Sequence, residues 1–394
     1  MELLFVVQRY GREVAGGAEQ FCREYATRLV GRGHGVEVVT SCAVSYVDWA
    51  NAFPAGDEII DKVLVHRLPV ERPRDNDLFG PLNGRVVGGH KPVPLHLQRE
   101  WMRLQGPFFP ELPEWLANEA RRFDAIVFFT YLYYTTFAGL PVAADLRPCV
   151  LHPNAHDEPP LYLPLFDTVF HLPHAFGFLT EEEGDLVRRR FQPRRRSTTL
   201  GIGVDLEATG NGDAFRATYG LGGDPYLVYV GRLDPHKGVD ELYDFFVTYK
   251  RRNPGPLRLV CVGEPVKPMT PHPDVVVTGF VDGPTRLDAV DGALAFVMPS
   301  YFESFSMVLS EAWAQRRPAL VQRACAVLAG QARRSGGAIP YRGFAEFEAA
   351  VDLLSEDRFV GTLLGEAGRR YVESRYEWDA VLTHYERFLD ELVG

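Results

Sequence analysis

Tyr226-Leu227-Val228-Tyr229-Val230-Gly231-Arg232-Leu233-Asp234-Pro235-His236-Lys237-Gly238 is the stretch whose reading decides the fold. Its first five residues are apolar without alternation, the pattern of a strand buried on both faces of a parallel sheet. A glycine then breaks the run, and a helical pattern begins at about Val239. The loop between them lies at the carboxyl end of its strand, where open α/β sheets bind ligands. Within it, Arg232 and Lys237 are two cations five residues apart. Arg232 can fork two oxygens of a diphosphate and Lys237 can supply a point charge; the competing reading is two solvated surface cations.

The same strand, turn and helix rhythm continues outward from this loop. Downstream, Leu257–Val262, Val275–Thr278 and Ala293–Met298 read as strands, and about Ser304 to Gln315 as a helix. Upstream, Leu3–Val7, Val36–Thr40, Lys62–Leu68, Ala125–Phe129 and Pro148–Leu151 form a first series, with a helix from about Glu19 to Arg32. The expected class is therefore α/β with two parallel sheets. Gly201, Gly203, Gly210, Gly212, Gly220, Gly222 and Gly223 cluster between the series, as a hinge requires. Residues 72–113 are rich in Pro, Gly and Arg, and read as a long loop or short-helix insertion of the kind that carries function. About Gly361 to Leu392 is helical.

Composition narrows the function. A formal net charge of -10 argues against a general nucleic-acid binder. The five cysteines, Cys22, Cys42, Cys149, Cys261 and Cys325, are scattered in apolar runs without a CxxC pair. They read as buried small hydrophobes in a reducing compartment rather than a zinc site or disulfide framework. The start, Met1 to Val7, lacks the basic region and cleavage site of a signal peptide, and no apolar run approaches a bilayer span. A cytoplasmic location follows as the expectation.

Three further constellations carry candidate chemistry. Gly16-Gly17-Ala18-Glu19 lies between the first strand and first helix, where it serves either close approach of a phosphate to a helix N-terminus or a tight turn. It matches neither GxGxxG nor the P-loop pattern. Pro299-Ser300-Tyr301-Phe302-Glu303-Ser304-Phe305-Ser306-Met307-Val308-Leu309-Ser310-Glu311-Ala312 places two carboxylates about two helical turns apart. The amides of Phe305 to Val308 are first-turn donors beside them. A helix dipole explains Glu303 well, but Glu311 among Val308, Leu309, Ala312 and Trp313 is a costly charge without a partner. Asn154-Ala155-His156-Asp157 puts a histidine at a strand's carboxyl end, either as a structural residue or as a hydrogen-bonding group for a sugar.

Taken together these motifs resemble family 4 of the retaining glycosyltransferases, which have the GT-B fold. The likeness rests on Gly16-Gly17-Ala18-Glu19, His156-Asp157, Gly203-Val204-Asp205, Val230-Gly231-Arg232-Leu233 with Lys237-Gly238, Val262-Gly263, and Glu303 with Glu311 as an E-x7-E pair. The resemblance implies two Rossmann-like domains facing each other across a donor-binding cleft. It assigns residues 1–205 to an acceptor domain, completed by a crossover helix at 376–394, and 206–375 to a nucleotide-sugar domain. It gives Gly16 and Gly17 to the donor phosphates or sugar, and Arg232 with Lys237 beside Gly231 to the diphosphate. Glu303 falls to the sugar hydroxyls with the amides of Phe305, Ser306 and Met307, Val308 to the phosphates, and Glu311 to the ribose. Gly263, Gly279, Phe280 and Val281 fall around the base, and His156 near the reacting face of the sugar. Ser306 departs from the family, which often has glycine there, and Pro318 to Ala326 replaces a Gly-containing loop.

The expected activity is transfer of a hexose-type sugar from a nucleotide diphosphate donor, UDP before GDP, to a hydroxyl on a small-molecule, glycan or lipid-linked acceptor. Transfer retains configuration, with same-face attack. No cofactor or metal is expected: the one DxD-like triplet, Asp75-Asn76-Asp77, sits in a Pro/Arg loop rather than at a strand end. A catalytically silent nucleotide-sugar binding module, and a phosphorylase or sugar-phosphate synthase on the same fold, are the competing readings. Arg188, Arg189, Arg190, Arg194, Arg195 and Arg196 form a basic run that reads as a solvated face before a weak membrane contact. Trp101, His90 and Phe108 are the acceptor-side candidates within 72–113.

Overall fold

The computed structural model describes residues 1–89 and 91–394. The chain forms two compact units, one of residues 1–200 with 382–394 and one of residues 201–381. Each is built on its own sheet.

The first unit carries eight strands: β1 (Glu2–Val6), β2 (Gly35–Ser41), β3 (Gly56–Ile60), β4 (Val63–Leu68), β5 (Ala125–Phe129), β6 (Cys149–His152), β7 (Ala175–Phe178) and β8 (Arg196–Thr199). Their order is β3-β4-β2-β1-β5-β6-β7-β8. All neighbours pair in parallel except β3, which runs antiparallel to β4. The central strands β1 and β5 are wholly apolar save Glu2, and helices cover both faces, which is what parallel pairing demands. Ile60 pairs with Val63, so Asp61 and Lys62 form a two-residue turn, both with positive φ as a primed hairpin turn requires.

Of the two readings of residues 72–113, the short-helix insertion is the one found among the described residues. They form the helices Asn76–Val86 and Leu95–Gln105, and lead into Glu111–Glu119. Asp75 caps the first of these, accepting from Asp77 N and Leu78 N, which gives the Asp75-Asn76-Asp77 triplet a structural role. Trp101 is buried in the core with its Nε1 donating to Asn83 Oδ1 at 2.8 Å, so it does not face an acceptor. Phe108 packs edge-on against Tyr134. His90 lies outside the described residues.

The second unit holds β9 (Tyr226–Val230), β10 (Arg258–Val262), β11 (Val275–Gly279), β12 (Ala295–Met298), β13 (Ala319–Gln322) and β14 (Ala338–Tyr341) in the parallel order β11-β10-β9-β12-β13-β14. The strand read first, β9, is buried at every position between β10 and β12. Four of the glycines read as a hinge are close-packing residues instead. A Cβ on Gly201 or Gly203 would meet the rings of Tyr376 or Trp378, and one on Gly210 or Gly212 would meet the backbone of Leu287 or Gly292. The helical C-terminus is two helices, Arg358–Arg375 and Trp378–Val393, interrupted where Tyr376 O accepts from Val204 N. Within the first unit, the Tyr385 hydroxyl lies 3.1 Å from His152 Nε2. All five cysteines are free and buried. Among the described residues no helix is long and apolar enough to cross a membrane.

Candidate functional site

In the second unit, the carboxyl ends of β9, β10 and β11 meet through glycine backbone. Gly231 N donates to Val262 O at 2.9 Å, and Gly263 N to Gly279 O at 3.0 Å. A Cβ on Gly263 would lie 2.0 Å from Gly231 O, so the two loops approach as closely as backbone allows. Gly231, Gly263 and Gly279, expected from sequence to serve one ligand, are thus one hydrogen-bonded shelf. Phe280 stands next to it, largely exposed, its amide 3.4 Å from Glu264 Oε2. Val281 leads into the helix Gly283–Asp291.

The cation loop is folded by its own sequence. Asp234 accepts from His236 N and caps the short turn Pro235–Lys237, which ends at Gly238 with φ 74°. Only glycine fits there, because a Cβ would sit 2.4 Å from Pro299 O. This contact sets the loop against the exit of β12 and brings Lys237 Nζ to 2.8 Å from Glu303 Oε1. Arg232 lies 3.1 Å from Asp234 and is 43% exposed at its side chain. Tyr229 supports the loop from beneath by donating to Arg232 O; burial pushes its phenol well above the usual range, which keeps it a neutral donor.

The helix bearing Glu311 starts later than its sequence predicts, at Met307 rather than Ser304. Ser306 precedes it in the left-handed region, φ 73° and ψ 79°, so Phe305 and Ser306 lie outside the helix. Phe305 is buried against Tyr376, and its carbonyl accepts from Gln331 Nε2. The Ser306 hydroxyl is buried without a hydrogen-bond partner. Met307 and Val308 open the helix, and Glu311 follows one turn later with Oε1 2.9 Å from Arg286 Nη2. The partner that the burial of Glu311 demands is therefore Arg286. Arg323, in the departing loop, pairs with Glu346 at 2.8 Å.

In the first unit, Gly16 and Gly17 sit at the start of the helix Gly17–Gly31, after β1. A Cβ on Gly16 would fall 2.1 Å from Glu19 Oε2, whereas one on Gly17 would meet nothing within 4 Å. Glu19 is committed to a buried pair with Arg9, and Gln8 Nε2 donates to the same oxygen at 2.8 Å. Arg9 also donates to Ala15 O and Val44 O, so this ion pair ties the glycine turn to the loop after β2.

His156 follows β6, partly exposed, with Nδ1 3.4 Å from Glu158 Oε1. Its loop is held by a residue that no motif pointed to. Glu183 is buried, and its two oxygens accept from Ala155 N at 2.8 Å and Leu179 N at 2.7 Å. Burial pushes its carboxyl up to about 7 despite these amides. His152, four residues earlier at the end of β6, is the structural histidine of the pair: burial holds it down at about 4. The basic run is largely partnered. Arg188 pairs with Asp185, Arg190 with Asp167, Arg196 with Glu391, and Arg195 donates to His171 O. Among the described residues no three His, Cys, Asp or Glu side chains gather as a metal site would.

Residues 224–357 match the glycosyl transferases group 1 family. Glycogen synthase of Mycobacterium tuberculosis is 25% identical over 97% of this chain and 93% of its own. D-inositol 3-phosphate glycosyltransferase of Nocardia farcinica is 34% identical, over 36% of this chain and about a third (35%) of its own length. Sucrose-phosphate synthase from Thermosynechococcus elongatus superposes with TM-score 0.74 at 17% identity, covering 100% of this chain and 99% of that one. Anabaena HepE, solved with UDP-glucose, gives 0.71 at 14% identity, covering 99% and 100%. The matched segment lies on the unit that carries Arg232, Lys237, Glu303 and Glu311, and the chain shares the GT-B fold of these solved glycosyltransferases end to end.

Proposed function

We propose that this chain transfers a hexose-type sugar from a nucleotide diphosphate donor, UDP before GDP, to a hydroxyl acceptor with retention at the anomeric carbon. The observation that carries the reading is the Lys237–Glu303 contact of 2.8 Å, with Arg232 on the same loop and Glu311 on the helix that follows Glu303. Cation and carboxylate side by side suit a donor whose diphosphate needs positive charge and whose sugar needs hydroxyl acceptors. As the bond to the anomeric carbon breaks, negative charge grows on the leaving diphosphate, and Arg232 and Lys237 stabilise it. In this reading Glu303, already accepting from Lys237, serves as an acceptor for the sugar hydroxyls. The acceptor hydroxyl then attacks from the face the nucleotide leaves, giving its proton to a donor phosphate oxygen.

The order and spacing of the motifs favour family 4 within the group, with Gly16, Gly17 and His156 serving the donor sugar and phosphates. HepE was solved with UDP-glucose, which supports UDP here. Five buried free cysteines support a reducing, cytoplasmic setting. Transfer is proposed to need no metal. The test is turnover of UDP-glucose and GDP-mannose with an acceptor panel, with and without a chelator, followed by NMR of the product anomer. Retained configuration with chelator-insensitive release of UDP is expected. An inverted anomer overturns retention, and loss of activity with chelator that manganese restores overturns metal independence. Donor binding without turnover selects the silent binding module.

A further inference from the structure

Arg286 belongs to no motif in the sequence, yet it holds the carboxylate read as the ribose ligand. It stands in the helix Gly283–Asp291 and places Nη2 2.9 Å from Glu311 Oε1, with side chains 27% and 18% exposed. Its Nε is buried without an acceptor, so the guanidinium is not satisfied by its own surroundings and is directed by the ion pair. The helix that carries it begins directly after Gly279-Phe280-Val281. Asp282 caps that helix by accepting from Thr285 N at 2.9 Å, and also accepts Arg286 N on its carbonyl at 3.0 Å. Arg286 thus stands one helical turn beyond the segment assigned to the base and reaches across to the residue assigned to the ribose.

A carboxylate this enclosed is held in one rotamer by such a partner. A guanidinium does this with a planar fork, and it leaves further lone pairs of the carboxylate able to accept hydroxyl groups. We infer that Arg286 is a positioning residue for nucleotide recognition: it orients Glu311 toward the ribose hydroxyls and ties that orientation to the start of the base segment. This rests on the reading of Glu311 as the ribose ligand.

The test uses the full chain and whichever of UDP and GDP raises the wild-type melting temperature, together with its 2′,3′-dideoxy analogue. Calorimetry on wild type, Glu311→Gln, Arg286→Met, Arg286→Lys and the Glu311→Gln/Arg286→Met double variant gives the outcome. Arg286→Met is expected to weaken the ribonucleotide about tenfold while changing the dideoxy analogue less than twofold. Arg286→Lys, which keeps the charge without the fork, recovers part of the loss, and the double variant binds no worse than Glu311→Gln alone. The dideoxy analogue reports whether each variant is folded and keeps its diphosphate site. Equal weakening of both nucleotides by Arg286→Met, or losses that multiply in the double variant, overturns the inference. If Glu311→Gln itself fails to distinguish the two nucleotides, the ribose reading falls; if only Arg286→Met fails, the positioning role alone falls.

Discussion

Ser306 occupies the position where strain and function meet. A left-handed conformation costs a residue with a Cβ roughly 1–2 kcal/mol, and the Ser306 hydroxyl is buried without a partner as well. Ser306→Gly is therefore expected to raise stability by about 1 kcal/mol, read as a shift in denaturation midpoint at unchanged slope. No gain would mean that the hydroxyl compensates the backbone. The departure from the family's frequent glycine was legible in the sequence; its conformational consequence was not, because φ is not written in residue identity.

Glu183 makes a second prediction at this scale, this time in pH. Its carboxyl is raised to about 7 from an ordinary 4.5, so its contribution to stability is fully present below about 4.5 and is lost as pH rises through about 7. Glu183→Gln removes that titration. The stability of the variant relative to wild type is expected to improve between pH 4.5 and pH 8, by about 1–3 kcal/mol given a shift of this size. A pH-independent difference between the two proteins would show that Glu183 is solvated in solution. Thr180 caps the helix by accepting from Glu183 N, so the local sequence accounts for a helix start and not for a carboxylate turned back onto the loop of His156.

At the scale of elements, the loops after β9, β10 and β11 work because glycines let three backbones touch. Gly263→Ala would drive a Cβ to 2.0 Å from Gly231 O, which must displace one loop. We expect a loss of several kcal/mol in nucleotide binding or stability, whereas Gly283→Ala, where nothing lies within 4 Å, is near neutral. Thermal shift of both variants with and without nucleotide checks this, and equal behaviour would contradict it. Central strands such as β1, β5 and β9 were legible because burial on both faces forces a continuous apolar run. The edge strands β3 and β8 were not, since Gly56-Asp57-Glu58 and Arg196-Ser197-Thr198-Thr199 are polar and exposed. The helices of residues 76–119 were masked by Pro and Gly at their ends, with Pro81 inside the first. Of the candidate site, motif residues were legible and their holders Arg286, Gln331 and Glu183 were not, because each acts from an element distant in sequence.

For the whole molecule, the net charge of -10 makes the Arg232 and Lys237 loop a local exception in an acidic protein. Nucleotide affinity should then depend on these two side chains rather than on a general attraction for anions. Whether this loop grips a nucleotide diphosphate is read directly by calorimetric titration of UDP and GDP into wild type and the Arg232→Ala/Lys237→Ala variant. Binding of one nucleotide to wild type and a loss of at least about 100-fold in the variant are expected, the scale of two charge-assisted contacts of about 1.5–3 kcal/mol each. Equal affinity in the two proteins, or no binding of either nucleotide to wild type, would contradict that grip.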